Sequence, residues 1–249
     1  MARQEGVIKI KGTLDDLTFY QSQDGNLIRR KGSLDANRIS NDPGFLRTRE
    51  NNSEFANAAE AGKLVRDTVR SMMIDAADSR VISRLLKQMT LVKNLDATSG
   101  RGKRNVAVAI ALPAAQDLLK NFNFNNRGVL NSVFFSPFTV NTVDGTIDIK
   151  GFIPADDVLF PEGATHVSLE SGFARVDFTN GKGELQVSPV TNLPIDETST
   201  DVSLKPSAVP SVTGTSFYLL KLSFFQMINT VQYSLRNGAF NSLAIVQVA

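Results

Sequence analysis

Cysteine and tryptophan are absent from these 249 residues, and histidine occurs once, as His166. Without cysteine there is no disulfide framework and no thiolate metal site. A single imidazole leaves a zinc site short of ligands, and a serine triad would have to be built on that one ring. No Gly-x-Ser-x-Gly elbow, Gly-x-Gly-x-x-Gly fingerprint or phosphate-binding lysine loop occurs. No window reaches 18 consecutive apolar residues, and the richest, residues 106–112, is too short to span a bilayer. The opening Met-Ala-Arg-Gln-Glu-Gly lacks the apolar core of a secretory signal. The expectation is a chain made in the cytoplasm, which lysis or a dedicated route could release as an extracellular assembly. No catalytic residue, metal ligand or cofactor is nominated.

The carboxylates offer little more. Asp156 and Asp157 are adjacent, with Asp144 and Glu162 not far along the chain. A glycosidase needs two carboxylates facing one bond, and neighbours on a strand point opposite ways. Their spacing also differs from that of a calcium loop, so a solvated acidic segment is the expectation.

Charge is where the chain becomes informative. Residues 1–105 carry 19 Lys and Arg against 13 Asp and Glu, whereas residues 106–249 carry 8 against 12. Two clusters stand out in the basic part, Arg29-Arg30-Lys31 and Arg101-x-Lys103-Arg104. Both are candidate contacts for assembly or for a polyanion, since clustered cations neutralise phosphates.

The basic part reads as a small sheet followed by helices. Residues 7–11 alternate and read as a strand ending at Gly12, residues 17–21 as a second, and residues 26–31 as a third. Asp24-Gly25 marks the hairpin turn between the last two. Such a three-stranded meander has few apolar residues and must dock on something. Asp42 then caps a helix that Pro43 opens, and apolar residues recur at Phe45, Phe55, Ala59, Val65, Val69 and Met73. Ala56, Ala59 and Gly62 lend that helix a small-residue face. A second helix carries the stripe Val81, Ile82, Leu85, Leu86, Met89 and Val92, with Arg80, Arg84, Lys87 and Lys93 elsewhere around it. The two are expected to pair antiparallel.

Residues 98–104, Thr-Ser-Gly-Arg-Gly-Lys-Arg, read as a flexible connector and set the expected domain boundary. After a helix opened by Pro113, strand signals recur at sandwich-like spacing, with turns at Asp144-Gly145 and Asn180-Gly181. Residues 217–228 read as a central strand running into a bulge, and residues 240–248 as a final strand. Gly128-Val-Leu-Asn-Ser-Val133 echoes Gly238-Ala-Phe-Asn-Ser-Leu243, as equivalent strand openings would. The expected fold is therefore α+β. Residues 1–104 form a basic β-meander plus helical hairpin, and residues 105–249 an antiparallel β-sandwich.

The motifs Gly12-Thr-Leu-x-x-Leu-Thr-Phe-Tyr20, Asp24-Gly25-x-Leu27-x-Arg29, Lys31-Gly32, Arg38-Ile39 and Asp42-Pro43-x-Phe45-x-Arg47-Thr-Arg-Glu-Asn51 resemble an uncharacterised family of bacterial proteins. The resemblance extends through Glu54-Phe55, Ala61-Gly-Lys-Leu64, Asp78-Ser-Arg80 and Arg101-Gly102 to Tyr233-Ser-Leu-x-Asn237-Gly-Ala-Phe-Asn-Ser-Leu243. It covers most of the chain and implies no activity.

Two functions are weighed. The first is a non-enzymatic structural protein that assembles with copies of itself into a filament, tube or phage-like particle. Opposite charge in the two parts favours head-to-tail contacts, which generate open polymers or rings, and a terminal strand can complete a neighbour's sheet. The alternative is a nucleic-acid-associated protein using the clusters around Arg30 and Arg104. A sugar-binding sandwich has thin support with three tyrosines and no tryptophan.

Overall fold

The computed structural model describes residues 2–4, 6, 9–22, 24–30 and 36–249, and of Arg236 and Asn237 only the backbone. The chain divides into two compact units, Met1–Arg49 and Glu50–Ala249.

In the first unit, β1 (Ala2–Arg3), β2 (Gly12–Leu14), β3 (Leu17–Ser22) and β4 (Gly25–Arg30) form one antiparallel sheet in the order β1-β4-β3-β2. Two-residue turns set its register: Leu14 pairs with Leu17, and Ser22 with Gly25. Gly25 takes φ 107°, which glycine adopts without the steric cost of a Cβ. The Leu14–Leu17 turn also corrects the expected first strand. Lys9, Ile10 and Lys11 are not in a strand, and β2 begins only at Gly12; Val7 and Ile8 lie outside the described residues. Helix α1 (Ala36–Asn41) follows, then a single 3-10 turn over Pro43–Phe45 whose cap, Asp42, accepts the Gly44 N–H.

Helix α2 (Leu46–Thr68) is interrupted at Val69, beyond which α3 (Arg70–Met73) continues. Helix α4 (Val81–Asn94) runs antiparallel to α2, as expected: Glu54 meets Lys93, and Gly62 lies against Leu85 and Met89. The α4 stripe lies inward at Val81, Leu85, Met89 and Val92. The buried face of α2 instead holds Glu54, Ala58, Ala61, Gly62 and Val65, while Phe55 is 55% exposed. The large phenylalanine misplaces the stripe by one position, because a helix packed this closely wants small side chains inward.

Short helices α5 (Val106–Ala109), α6 (Pro113–Leu119) and α7 (Leu130–Val133) lead into β5 (Phe138–Val140), β6 (Ile147–Phe152) and α8 (Pro154–Asp157). The remaining elements are β7 (His166–Asp177), β8 (Lys182–Val187), β9 (Thr191–Pro194), β10 (Thr200–Leu204), β11 (Thr215–Ile228), β12 (Val231–Ser234) and β13 (Ser242–Val248). Every ladder is antiparallel. Strands β10-β6-β5 make one sheet; β12-β11-β7-β8 make the spine of another, with β13 also on β11 and β9 also on β7. Asn192 of β9 donates to Gln232 of β12 at 3.0 Å although β7 and β11 lie between those strands, so the sheet curls.

Alternation along β11 divides the interior. Phe217 and Leu219 face a core shared with α2 and α4, whereas Tyr218, Leu220, Leu222 and Phe224 face a core shared with Ile147, Phe152, Val202 and Leu204 of the smaller sheet. Each such side chain, fully buried, stabilises by about 1.5–3 kcal/mol relative to exposure. The helices approach the sheet through glycine. A Cβ on Gly183 would lie 1.9 Å from Thr68 Oγ1, and one on Gly172 2.5 Å from Met72 Sδ.

These shared cores place residues 50–104 with the strands, within the compact unit Glu50–Ala249. The Gly128 and Gly238 segments are not equivalent. One leads into helix α7 and the other into strand β13, and Gly128 packs directly on the backbone of Phe240 and Asn241. Among the described residues no helix is long and apolar enough to cross a membrane.

Candidate functional site

The two basic clusters lie in different compact units. Arg29 and Arg30 are successive residues of β4 and so project from opposite faces of the sheet. Arg29 lies over the Tyr20 ring, 5.5 Å from its centroid, and Arg30 approaches Asp16 at 3.6 Å in an exposed pair. Lys31 lies outside the described residues. In the second unit Lys103 is exposed, Arg104 is half-buried, and Arg101 Nε meets Glu50 at 3.1 Å.

The loop bearing Arg101, Lys103 and Arg104 is held from beneath, which corrects its reading as a flexible connector. Buried Asp96 accepts the Thr98 and Ser99 N–H groups through one oxygen and the Asn105 N–H through the other. The Ser99 side chain, then the Ser99 and Asn105 amides and the Thr98 hydroxyl, hold its carboxyl far below the ordinary range despite burial. Glu54 accepts the Gly102 N–H at 2.8 Å, and Asn57 accepts the Val106 N–H at 3.0 Å. Lys93 donates to Glu54 at 2.5 Å with both side chains 8% exposed, and that hydrogen bond is the main cause lowering the Glu54 carboxyl. Sequence reading missed this pair by placing Lys93 outside the stripe. The signal was a glutamate at a core position, four and seven residues before Ala58 and Ala61.

A second polar seam joins the residues after α3 to the large sheet. Lys221 Nζ lies 2.7 Å from Asp75 and 3.7 Å from Glu170, and Asn241 donates to the Asp75 carbonyl at 3.1 Å. Burial raises the Glu170 carboxyl, and the Lys221 charge opposes that shift. Beside the seam, a cleft of about 520 Å³ is bordered by Asp75, Asp78, Arg84, Arg127 and Gly238. Arg84 there spans Asp78 and the carbonyls of Asn123 and Phe124. Chemically these groups crosslink helix to sheet: carboxylates and cations are matched to one another and to backbone.

His166 opens β7, its Nδ1 3.0 Å from the Thr165 hydroxyl. Asp144 turns the β5–β6 hairpin by accepting the Thr146 N–H, and Asp157 accepts the Ile153 N–H. Asp156 and Glu162 are exposed. Among the described residues, no three His, Asp or Glu side chains group as a metal site would require.

The N-terminal sheet presents a different surface. Its cross-strand pairs put Ala2, Leu14, Leu17, Phe19, Gln21, Asn26, Ile28 and Arg30 on one face, and Arg3, Thr13, Thr18, Tyr20, Leu27 and Arg29 on the other. The first face is apolar at its centre and ends in Arg30 beside Leu17, yet Leu14 is 64% and Leu17 43% exposed. None of the described residues between 2 and 49 is buried. Leu14 and Leu17 escaped sequence reading because the first strand was expected at residues 7–11. The two-residue Asp15-Asp16 turn between leucines was the available signal.

Comparison with protein-family models, with curated proteins and with solved structures finds no match to this chain.

Proposed function

We propose that this protein is a non-enzymatic structural subunit that assembles with copies of itself, through heterologous contacts, into a filament, tube or phage-like particle. The observation that carries this reading is the amphipathic N-terminal sheet without a buried residue. A sheet of this size gains stability chiefly by covering its apolar face with a second layer. Charge supports a neighbouring copy as that layer. Residues 1–49 hold 9 Lys and Arg against 6 Asp and Glu, and residues 50–249 hold 18 against 19. Opposite signs on two surfaces of one chain favour head-to-tail association and disfavour pairing of like surfaces. We further read the two sheets that share the core around Phe152, Tyr218 and Phe224 as a β-sandwich, with α2 and α4 as a third layer.

Association with nucleic acid through the basic clusters has less support. Arg29 and Arg30 diverge across the sheet and Arg101 is matched by Glu50, which weakens a continuous phosphate track.

Light scattering over a range of protein and salt concentrations, with negative-stain imaging, tests the assembly reading. Regular particles that the full-length Leu14→Asp/Leu17→Asp variant fails to form are the expected result. A monomer at every concentration would overturn it.

A further inference from the structure

The reading above leaves open which surface of the neighbouring copy covers the N-terminal sheet. A surface that covers it needs large exposed apolar side chains near acidic charge.

One region of the second unit combines both. Residues 133–135 run alongside residues 157–159, with Phe134 bridged to Val158, the Phe135 N–H donating to the Asp157 carbonyl and the Leu159 N–H to the Val133 carbonyl. Next to this ladder opens a cleft of about 430 Å³ lined by Val133, Leu159, Phe160, Pro161, Phe224 and Phe240. Leu159 is 62%, Phe135 57% and Phe160 39% exposed. Glu162 and Arg127 are the charged residues of its lining, and the exposed Asp156 lies in helix α8, three residues before Leu159 in the chain. The space is enough for more than one large aliphatic side chain.

We propose that this cleft is the acceptor for the N-terminal sheet of a second copy of the chain, with Leu14 and Leu17 entering it and Arg30 meeting Glu162 and Asp156. The inference rests on the self-assembly reading. Its warrant is a double complementarity. The donor is an apolar sheet face on a unit of net positive charge, and Arg30 sits directly across from Leu17 in the ladder. Its only ion pair among those described, to Asp16, is long and exposed, so exchanging it for a partner's carboxylate costs little. The acceptor is an apolar depression whose lining carries Glu162, with exposed Asp156 close by in the chain. Apolar contact supplies the affinity, and the charged residues select orientation and suppress pairing of two donors or two acceptors. Donor and acceptor are different surfaces of one chain, so each copy keeps one free surface of each kind and growth is open-ended.

Two full-length variants separate this inference from the reading beneath it. Leu17→Asp damages the donor only and Leu159→Asp the acceptor only; both positions are exposed, so each variant should keep the parent circular-dichroism melt. Sedimentation velocity across concentration is expected to show the unsubstituted chain forming long oligomers, with association of each variant alone weakened on the order of 100-fold or more. Mixing the two variants at equal concentration should give a species of two copies and nothing larger, because one retains the acceptor and the other the donor. Combining Arg30→Glu with Asp156→Lys and Glu162→Lys in one chain should restore association that Arg30→Glu alone reduces.

A parent chain that stays monomeric overturns the assembly reading and this inference together. A parent that assembles while Leu159→Asp assembles equally well overturns the acceptor alone. Variants that each fail and remain monomeric when mixed overturn the donor–acceptor arrangement.

Discussion

Phe19 and Ile28 face each other across β3 and β4 and stay half-buried, whereas Phe173 and Tyr218, partners across β7 and β11, stack at 4.8 Å and are sealed from solvent. Both pairs are antiparallel and each holds at least one aromatic ring. What differs is the layer above them: Tyr218 has the smaller sheet on its side, and its ladder neighbours Phe217 and Leu219 have the helices on theirs. Pairing orders a sheet, but burial against a second layer supplies most of its stability.

The comparison can be broken most forcefully in the second unit. Replacing Lys93 by alanine strands the Glu54 carboxylate in the interior and is expected to cost about 3–5 kcal/mol in urea unfolding followed by circular dichroism. The Glu54→Leu/Lys93→Met double variant should recover much of that, since no unpaired charge remains. Gly183→Ala forces a methyl group into Thr68, whose hydroxyl is committed to the Leu64 carbonyl, and should cost about 1–3 kcal/mol.

Asp96→Asn replaces a carboxylate that receives several N–H donors and should cost about 2 kcal/mol at neutral pH. It should also flatten the acid limb of the stability curve. Asp96 and Glu54 titrate below their ordinary values of 3.8 and 4.5 when folded, so the unfolded chain binds more protons as pH falls below that range. Their contribution is complete above their ordinary values and is lost as pH drops through the folded ones. Glu170, raised by burial, acts with the opposite sign. It favours the folded state below its ordinary value and fades as pH rises through the folded one.

The smallest stability effect belongs to the first unit. Leu17→Asp should change monomer unfolding by less than about 0.5 kcal/mol, because that side chain is exposed. Amide hydrogen exchange sharpens the contrast without substitution. The paired amides of β3 and β4 should exchange much faster than those of β11 in a dilute monomer, and slow down on assembly. Equal protection in both sheets at low concentration would erase the distinction between the two units.

Much of the local order is written in the sequence. The period of Val81, Leu85, Met89 and Val92, the turns at Asp24-Gly25 and Asn180-Gly181, proline at the start of α6 and the long apolar strand through residues 217–228 all announce their elements. Where a bulky residue and a small-residue face competed, as at Phe55 against Ala58 and Ala61, the pattern misled, because only the neighbouring helix decides which face is inside. The six nominated cations were visible as clusters, but not that Arg30 approaches Asp16 or that Arg101 meets Glu50.

What nearest-neighbour sterics and hydrophobic period dictate, this chain determines without help: where the long helices and strands lie and how most of their turns close. Tertiary structure alone decides the rest. It joins residues 50–104 to the strand layers. It buries Lys93 beside Glu54 from 39 residues away and leaves Leu14 and Leu17 uncovered. The reason is physical. Burial and charge pairing depend on which surfaces meet across long stretches of chain, and spacing along the sequence does not encode that meeting.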